Sequence, residues 1–271
     1  MTWQLGRTLL GGSRRQAFLD YAWVAPALAA VPKPLRRSLT LRLLAASPHY
    51  FGLQWTSHYP GLSRRAVLEG ELDRNRVTRA QICDRLLLPY LHPTMSVLDF
   101  GCGPGFLAKC VSTHVHDVVA VDISRGVIAC ARELNDGPNI VYLANRDPDL
   151  GLLGDSMFDL VYSFAVFQHL ERDQARHWLS ELVRTLRPEG VGLCHFAIGP
   201  PELSPTLDPS RWLDRYRLRF NFYAMDEVRR LLVEAGASEI ELRLTSDIGT
   251  IDDDIGAQHV AMFRGSASGR S

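Results

Sequence analysis

The sequence predicts an α/β fold: a mostly parallel sheet with helices on both faces, preceded by an N-terminal helical cap. Three observations predict it. From Thr78 onward, short apolar runs alternate with amphipathic helical stretches. Glycine- and proline-containing turns separate them, a spacing that suits βαβ units. The first 75 residues differ in character, being arginine-rich and broken by Pro26, Pro32, Pro34, Pro48 and Pro60. At 46% hydrophobic and 22% charged, the 271 residues exclude disorder, coiled coil and collagen as descriptions of the whole.

The cap is expected over residues 1–77. Leu35, Leu39, Leu43 and Ala46 fall on one face of a helix, with Arg36, Arg37 and Arg42 opposite, and tryptophans stand at 3, 23 and 55. The core is expected over 78–264. Its first helix is predicted over Thr78–Leu88, closed by Pro89 and Pro93. A strand over Ser96–Phe100 leads into the turn Gly101-Cys-Gly-Pro-Gly105, then a helix over Phe106–His114. Further strands are predicted over Val118–Val121, Ile140–Leu143, Phe158–Phe164 and Val191–Ala197. The intervening helices are Gly126–Leu134 and Asp173–Leu186, the second broken by Pro188 and Gly190. A helix over Asp226–Glu234 ends at Gly236. Strands over Ile240–Thr245 and His259–Phe263 lack a helix between them and should pair as an antiparallel hairpin, giving seven strands in all. An insertion spans 199–223, and 265–271 is expected to be a frayed tail.

The balance of charges, 30 basic against 30 acidic, marks no nucleic-acid binder, although residues 1–80 carry 12 Lys and Arg against 4 Asp and Glu. The cysteines at 83, 102, 110, 130 and 194 show no metal-finger spacing and read as reduced core thiols. The apolar run Tyr21–Val31 is shorter than the ~20 residues of a membrane span. Arg14 and Arg15 before it faintly suggest a signal peptide, but Asp20 and Pro26 interrupt the apolar segment, so a cytoplasmic protein is expected.

Ligands of open parallel sheets bind at the carboxyl ends of the strands. That rule selects Asp99–Gly105, Asp122, Asn145–Asp147 and Ser163–His169. The glycines permit a tight turn and close approach of a ligand to the backbone. Asp122, 17 residues after Gly105, can accept hydrogen bonds from a ribose diol. The spacing is G-x-G-x-G, with Phe106 where a dinucleotide site would place its third glycine, and no Lys-Ser or Lys-Thr ends the loop. An adenosyl ligand without a pyrophosphate fits better than NAD or ATP.

Over residues 80–264 the sequence resembles the class I S-adenosylmethionine-dependent methyltransferases. The resemblance rests on Val97–Gly105, Val118–Ser124, Asn145–Asp147, Phe158–Leu170, Leu186–Gly190 and Ala224–Gly236 in that order. Glu189 departs from it, since the family usually has glycine there. The resemblance implies a Rossmann-like sheet and S-adenosyl-L-methionine as cofactor, leaving S-adenosyl-L-homocysteine. It places Gly101, Cys102, Gly103 and Gly105 along the methionine and ribose, and Asp99 at the methionine amino group. Asp122 would take the ribose hydroxyls and Ile123 the adenine face. Asn145 or Asp147 would meet the adenine amine, and Ser163 and Phe164 the methionine end.

A hydroxyl acceptor needs a base for its proton, and histidine suits neutral pH. His169 is the first candidate and His195 the second; the structural alternative is that each only supports its loop or strand. Tyr223, with Gln168, is the expected acceptor contact. The spacing of Trp212, Tyr216 and Phe220 reads as packing, though aromatics beside Arg211 and Arg215 could also stack on a sugar or planar ring and bind an anionic group. Asp252-Asp-Asp254 suggests magnesium, against which stands the reading of a solvated acidic turn. The expected function is methyl transfer to a hydroxyl of a sugar, glycolipid or secondary metabolite, the acceptor being a saccharide or lipid-linked saccharide. RNA or protein methylation and a non-catalytic cofactor-binding scaffold are the alternatives. The aromatic-rich cap is a candidate homodimer surface.

Overall fold

A computed structural model describes residues 24–45, 61–204, 220–244 and 259–265, apart from the side chains of Arg64 and Leu203. Trp3, Trp23, Trp55, the segment from Arg211 to Tyr216, Asp252–Asp254 and the tail after residue 265 lie outside the described residues.

Seven strands form one sheet in the order β3-β2-β1-β4-β5-β7-β6. They are β1 (Ser96–Phe100), β2 (Asp117–Asp122), β3 (Ile140–Ala144), β4 (Phe158–Ser163), β5 (Leu186–Phe196), β6 (Ser238–Leu244) and β7 (His259–Arg264). The first five run parallel, and β7 lies antiparallel between β5 and β6. The expected hairpin is present, with β7 rather than β6 next to β5. Strand order reverses between β1 and β4, so the crevice for a ligand opens above those two strands.

Among the described residues the α-helices are α1 (Val24–Ala30), α2 (Lys33–Ala45), α3 (Arg64–Ile82), α4 (Phe106–Val111), α5 (Arg125–Leu134), α6 (Arg172–Thr185) and α7 (Met225–Glu234). A π-helical turn, Cys83–Leu87, extends α3. Side chains alternate across each strand. Leu98, Phe100, Val161, Cys194 and Phe196 meet α6 and α7 on one face. Val97, Leu160, Tyr162 and Leu193 meet Ile82, Leu86 and Leu107 on the other. Both faces are apolar because both are covered, as parallel sheets require. Each fully buried Leu or Val in these layers contributes about 1.5–3 kcal/mol. Cys83, Cys102, Cys130 and Cys194 are buried free thiols, and Cys110 is partly buried.

A third cluster joins the N-terminal helices to the core: Val24, Leu28, Leu41, Leu44, Leu68 and Leu72 pack on Phe106, Val127 and Cys130. The cap thereby rests beside the glycine turn. The buried residues of α2 are Thr40, Leu41, Leu43, Leu44 and Ala45; of the expected row Leu43 is buried and Leu39 packs on the cluster, Leu35 is 61% exposed, and Ala46 lies outside the described residues. Its first turn projects past the cluster, where Arg36 donates to Val31 O and Ala29 O at the end of α1 (2.6 and 2.7 Å).

Three expected boundaries move. The helix expected from Thr78 begins at Arg64, where Ser63 caps it by accepting from Ala66 N (3.3 Å), so it crosses the expected 77/78 division. The helix after the glycine turn ends at Val111 instead of His114, because Thr113 and His114 close short turns onto Cys110 O and Val111 O. Pro188 and Gly190 lie inside β5, not before it. Phe158 pairs with Leu186 and Leu160 with Val191, so residues 187–190 form a bulge. At its crest Glu189 has φ +64°, a left-handed conformation that explains why glycine is usual at that place.

Candidate active site

The turn after β1 requires glycine. Gly101, Gly103 and Gly105 have φ of +77°, +54° and +79°. A Cβ on Gly101 would run into the Val166 side chain, and one on Gly105 into the Tyr142 ring. Gly101 N and Cys102 N donate to Val121 O (2.8 and 3.0 Å), which holds the turn against the end of β2. There Asp122 Oδ2 accepts from Gly103 N (3.0 Å) and Oδ1 from Ser124 N (2.9 Å). The carboxylate is fixed between the turn and the start of α5, and a carboxylate oxygen can accept a second hydrogen bond. Ile123 follows, partly buried.

Asn145 is brought beside this carboxylate by its backbone, since Asn145 N donates to Asp122 O (2.9 Å). Its side chain folds back on its own loop, Nδ2 donating to Asp149 O (2.7 Å) and Oδ1 accepting from Asp147 N (3.2 Å). Asp147 is exposed, farther out on the loop.

Beneath the crevice lies a group of buried polar atoms. Asp99 and Tyr162 are register partners on β1 and β4. Asp99 Oδ2, the Tyr162 hydroxyl and His195 Nε2 are buried with no hydrogen-bond partner of normal geometry. Burial pushes the Asp99 carboxyl up to about 7; Asp122 adds to the shift, while Tyr162 and Arg79 oppose it. Ser163, expected to face the methionine end, is 1% exposed and donates to Phe100 O (2.9 Å), so it ties β4 to β1. Phe164 is partly buried and stacks on His195 (centroids 4.3 Å apart).

The two histidines occupy different settings. His195 is 1% exposed, and its Nδ1 accepts from Ala165 N (3.3 Å), which leaves the ring proton on Nε2. Burial, with the charges of Arg79, His169 and His259, drops its pKa to about 3. That geometry counts against His195 as a base and makes it the clamp of Ala165, whose φ is +61°. His169 ends the 3-10 turn Phe167–His169, partly buried and edge-on to Phe220. Gln168 beside it is buried, with Oε1 unpartnered. Tyr223 is not the acceptor contact expected. It is fully buried, and its hydroxyl donates to Leu170 O (2.7 Å), with Phe167 O also near (3.1 Å), so it anchors the His169 turn from beneath. Arg172 covers its ring at 4.4 Å.

Sequence reasoning missed Tyr162, concealed in an apolar strand, and Arg79, one turn before Ile82 on the face of α3 that turns toward the sheet. Among the described residues, no cluster of His, Cys, Asp and Glu could hold a metal ion, and no helix is long and apolar enough to cross a membrane.

Residues 97–190 match a family described as "Methyltransferase domain". The chain is 32% identical over 136 residues to the cyclopropane-fatty-acyl-phospholipid synthase of Escherichia coli strain K12, which covers 50% of this chain and 33% of that protein. It is 30% identical over 182 residues to the malonyl-[acyl-carrier protein] O-methyltransferase of Dechloromonas aromatica, covering 64% and 63% of the two chains. The chain thus spans between a third and two thirds of the length of these relatives. An S-adenosylmethionine-dependent methyltransferase structure from Mesorhizobium loti superimposes with a TM-score of 0.54 at 19% identity, covering 68% of this chain and 97% of that one, a likeness of fold.

Proposed function

The chain belongs to the class I S-adenosylmethionine-dependent methyltransferase superfamily, and from that premise we propose that it moves a methyl group from S-adenosylmethionine to a hydroxyl of a small molecule. The observation that carries the reading is the Asp122 carboxylate, held by Gly103 N and Ser124 N at the rim of a turn that only glycine can make. The residues present fit the cofactor. Asp122 presents a carboxylate at the rim of the turn, the group that accepts from a ribose diol, and the buried Asp99 carboxyl suits an ammonium group.

When bound, S-adenosylmethionine supplies a methyl group on a sulfonium, which a nucleophile displaces in line. The protein's part is alignment and proton removal. The glycine turn and the cap helices hold the crevice on one side. Tyr223 and His195 fix the segment Phe164–Leu170 on the other, which sets the position of His169. His169 is the residue we assign to take the proton of the acceptor hydroxyl. The O-methyltransferase name of one relative supports an oxygen acceptor, and the phospholipid synthase name of another supports an acceptor with a lipid part. A lipid-linked saccharide, with sugar hydroxyls and a lipid part, satisfies both, and a free saccharide satisfies the first alone.

Calorimetric titration with S-adenosylhomocysteine tests the reading. Wild type should bind, and Asp122→Ala should bind at least tenfold more weakly, the scale of a lost hydrogen bond to a charged group. A folded wild type that binds no S-adenosylhomocysteine refutes it.

A further inference from the structure

The turn that joins α1 to α2 carries an apolar surface. Ala29, Ala30, Pro32, Pro34 and Leu35 are exposed and Val31 is partly so, with Lys33 among them. A single exposed leucine is ordinary; a run of apolar residues around one turn marks a surface that something covers. The backbone of this turn makes little demand on water. Val31 N donates to Leu28 O (3.3 Å) and Leu35 N to Pro32 O (2.9 Å). Pro32 and Pro34 have no N–H. Arg36 takes up Val31 O and Ala29 O, the carbonyls at the end of α1 (2.6 and 2.7 Å). A turn in water has no need of such closure, whereas one placed against lipid must satisfy its polar groups internally.

The charges on these helices are of one sign. Residues 24–45 contain Lys33, Arg36, Arg37 and Arg42 and no aspartate or glutamate. Glu69 of α3 answers Arg37 through two hydrogen bonds of 2.6 Å. Lys33 and Arg42 are exposed, and Arg42 lies seven residues beyond Leu35, on the same face of α2. We propose that this turn docks the protein on an anionic lipid surface, with Pro34 and Leu35 entering the interface and Lys33 and Arg42 meeting the headgroups. A nucleic acid would meet the charges and leave Pro34 and Leu35 without a partner; an anionic lipid layer meets both. The docking does not rest on the methyltransferase reading, but its consequence for the acceptor does. Leu35 is nine residues, about 14 Å along α2, from Leu44, which packs in the cluster that holds Phe106 beside the glycine turn. Docking therefore keeps the crevice near the layer in which a lipid-linked acceptor holds its lipid part.

Co-sedimentation of the full chain with vesicles tests the docking. Phosphatidylcholine vesicles are compared with phosphatidylcholine carrying about 30% phosphatidylglycerol, an anionic surface of the kind that attracts basic segments. Wild type should partition at least tenfold more onto the anionic vesicles, and less as salt is raised. Leu35→Gln should lose about tenfold, the scale of an apolar side chain returned to water. Lys33→Gln combined with Arg42→Gln should lose about 25-fold, at about fivefold per basic residue. All three positions are exposed, and far-UV circular dichroism checks the helices of each variant. The proposal is overturned if wild type ignores the anionic vesicles, or if either variant binds them as wild type does. Binding to poly-glutamate as tight as to the vesicles would also overturn it, in favour of an acidic protein partner. S-adenosylhomocysteine affinity should be the same in all three proteins. Wild type that binds the anionic vesicles and no S-adenosylhomocysteine overturns the cofactor reading and supports the docking.

Discussion

Asp99 makes a quantitative prediction about proton release. In the free protein, burial raises its carboxyl to about 7, with Asp122 adding to the shift. An ammonium group placed beside Oδ2 favours the charged form and pulls that value back down. Binding then expels whatever proton Asp99 carries: about 0.9 of a proton at pH 6, about 0.5 at pH 7 and about 0.1 at pH 8. Over that range the affinity for S-adenosylhomocysteine should rise about tenfold, or ~1.4 kcal/mol. Calorimetric titrations in buffers of different ionisation enthalpy measure the released proton directly. Asp99→Asn should release none through this group, and the difference between the two proteins cancels the ligand's own titration. Equal proton release from both, or affinities with the same pH dependence in both, would refute the assignment. The sign for stability is the reverse. A carboxyl whose folded pKa lies above the unfolded value of 3.8 contributes stability at low pH that is lost as pH rises toward 7. Without ligand, Asp99→Asn should therefore gain less stability from acidification than wild type does.

Other changes have expected outcomes of their own. Glu189→Gly relieves a left-handed residue at an exposed bulge and should stabilise by about 1 kcal/mol, read as a melting temperature a few degrees higher. Gly101→Ala sets a Cβ against Val166 at φ +77° and should cost at least ~2 kcal/mol in denaturant unfolding, together with S-adenosylhomocysteine binding. His195 has its folded pKa depressed to about 3, so the neutral ring contributes stability that falls away as pH drops below the unfolded value of 6.5. The stability difference between wild type and His195→Gln should shift by about 2 kcal/mol between pH 7 and pH 5; no shift would mean the ring is not held neutral. His169→Ala should lower kcat at least a hundredfold with S-adenosylhomocysteine affinity unchanged; an unchanged kcat would remove it as the base.

The order and kind of the core elements were legible because local chemistry decides them. Apolar runs such as Val118–Val121 have few alternatives to a buried strand, and Gly101-x-Gly-x-Gly105 has few alternatives to a tight turn. The loop residues at the carboxyl ends of the strands were legible through the same rule. Boundaries set by remote partners were less so. The segment from Arg64 to Val77 reads as cap by composition. It is helix because Leu68 and Leu72 pack with Leu41 and Leu44 near Phe106, contacts far apart in the chain.

The sequence alone determined the α/β class, the seven strands, the glycine turn and its acidic partner Asp122. Each depends on periodicity or on backbone freedom within a few residues. Only the tertiary structure decided the roles of single side chains. Tyr223 and Ser163 spend their hydroxyls on neighbouring carbonyls, and His195 is sealed against Phe164. Arg79 and Asp99, 20 positions apart, come to face one crevice. Burial and the placement of distant charges set these outcomes, and both arise only when the sheet and the helix above it pack together.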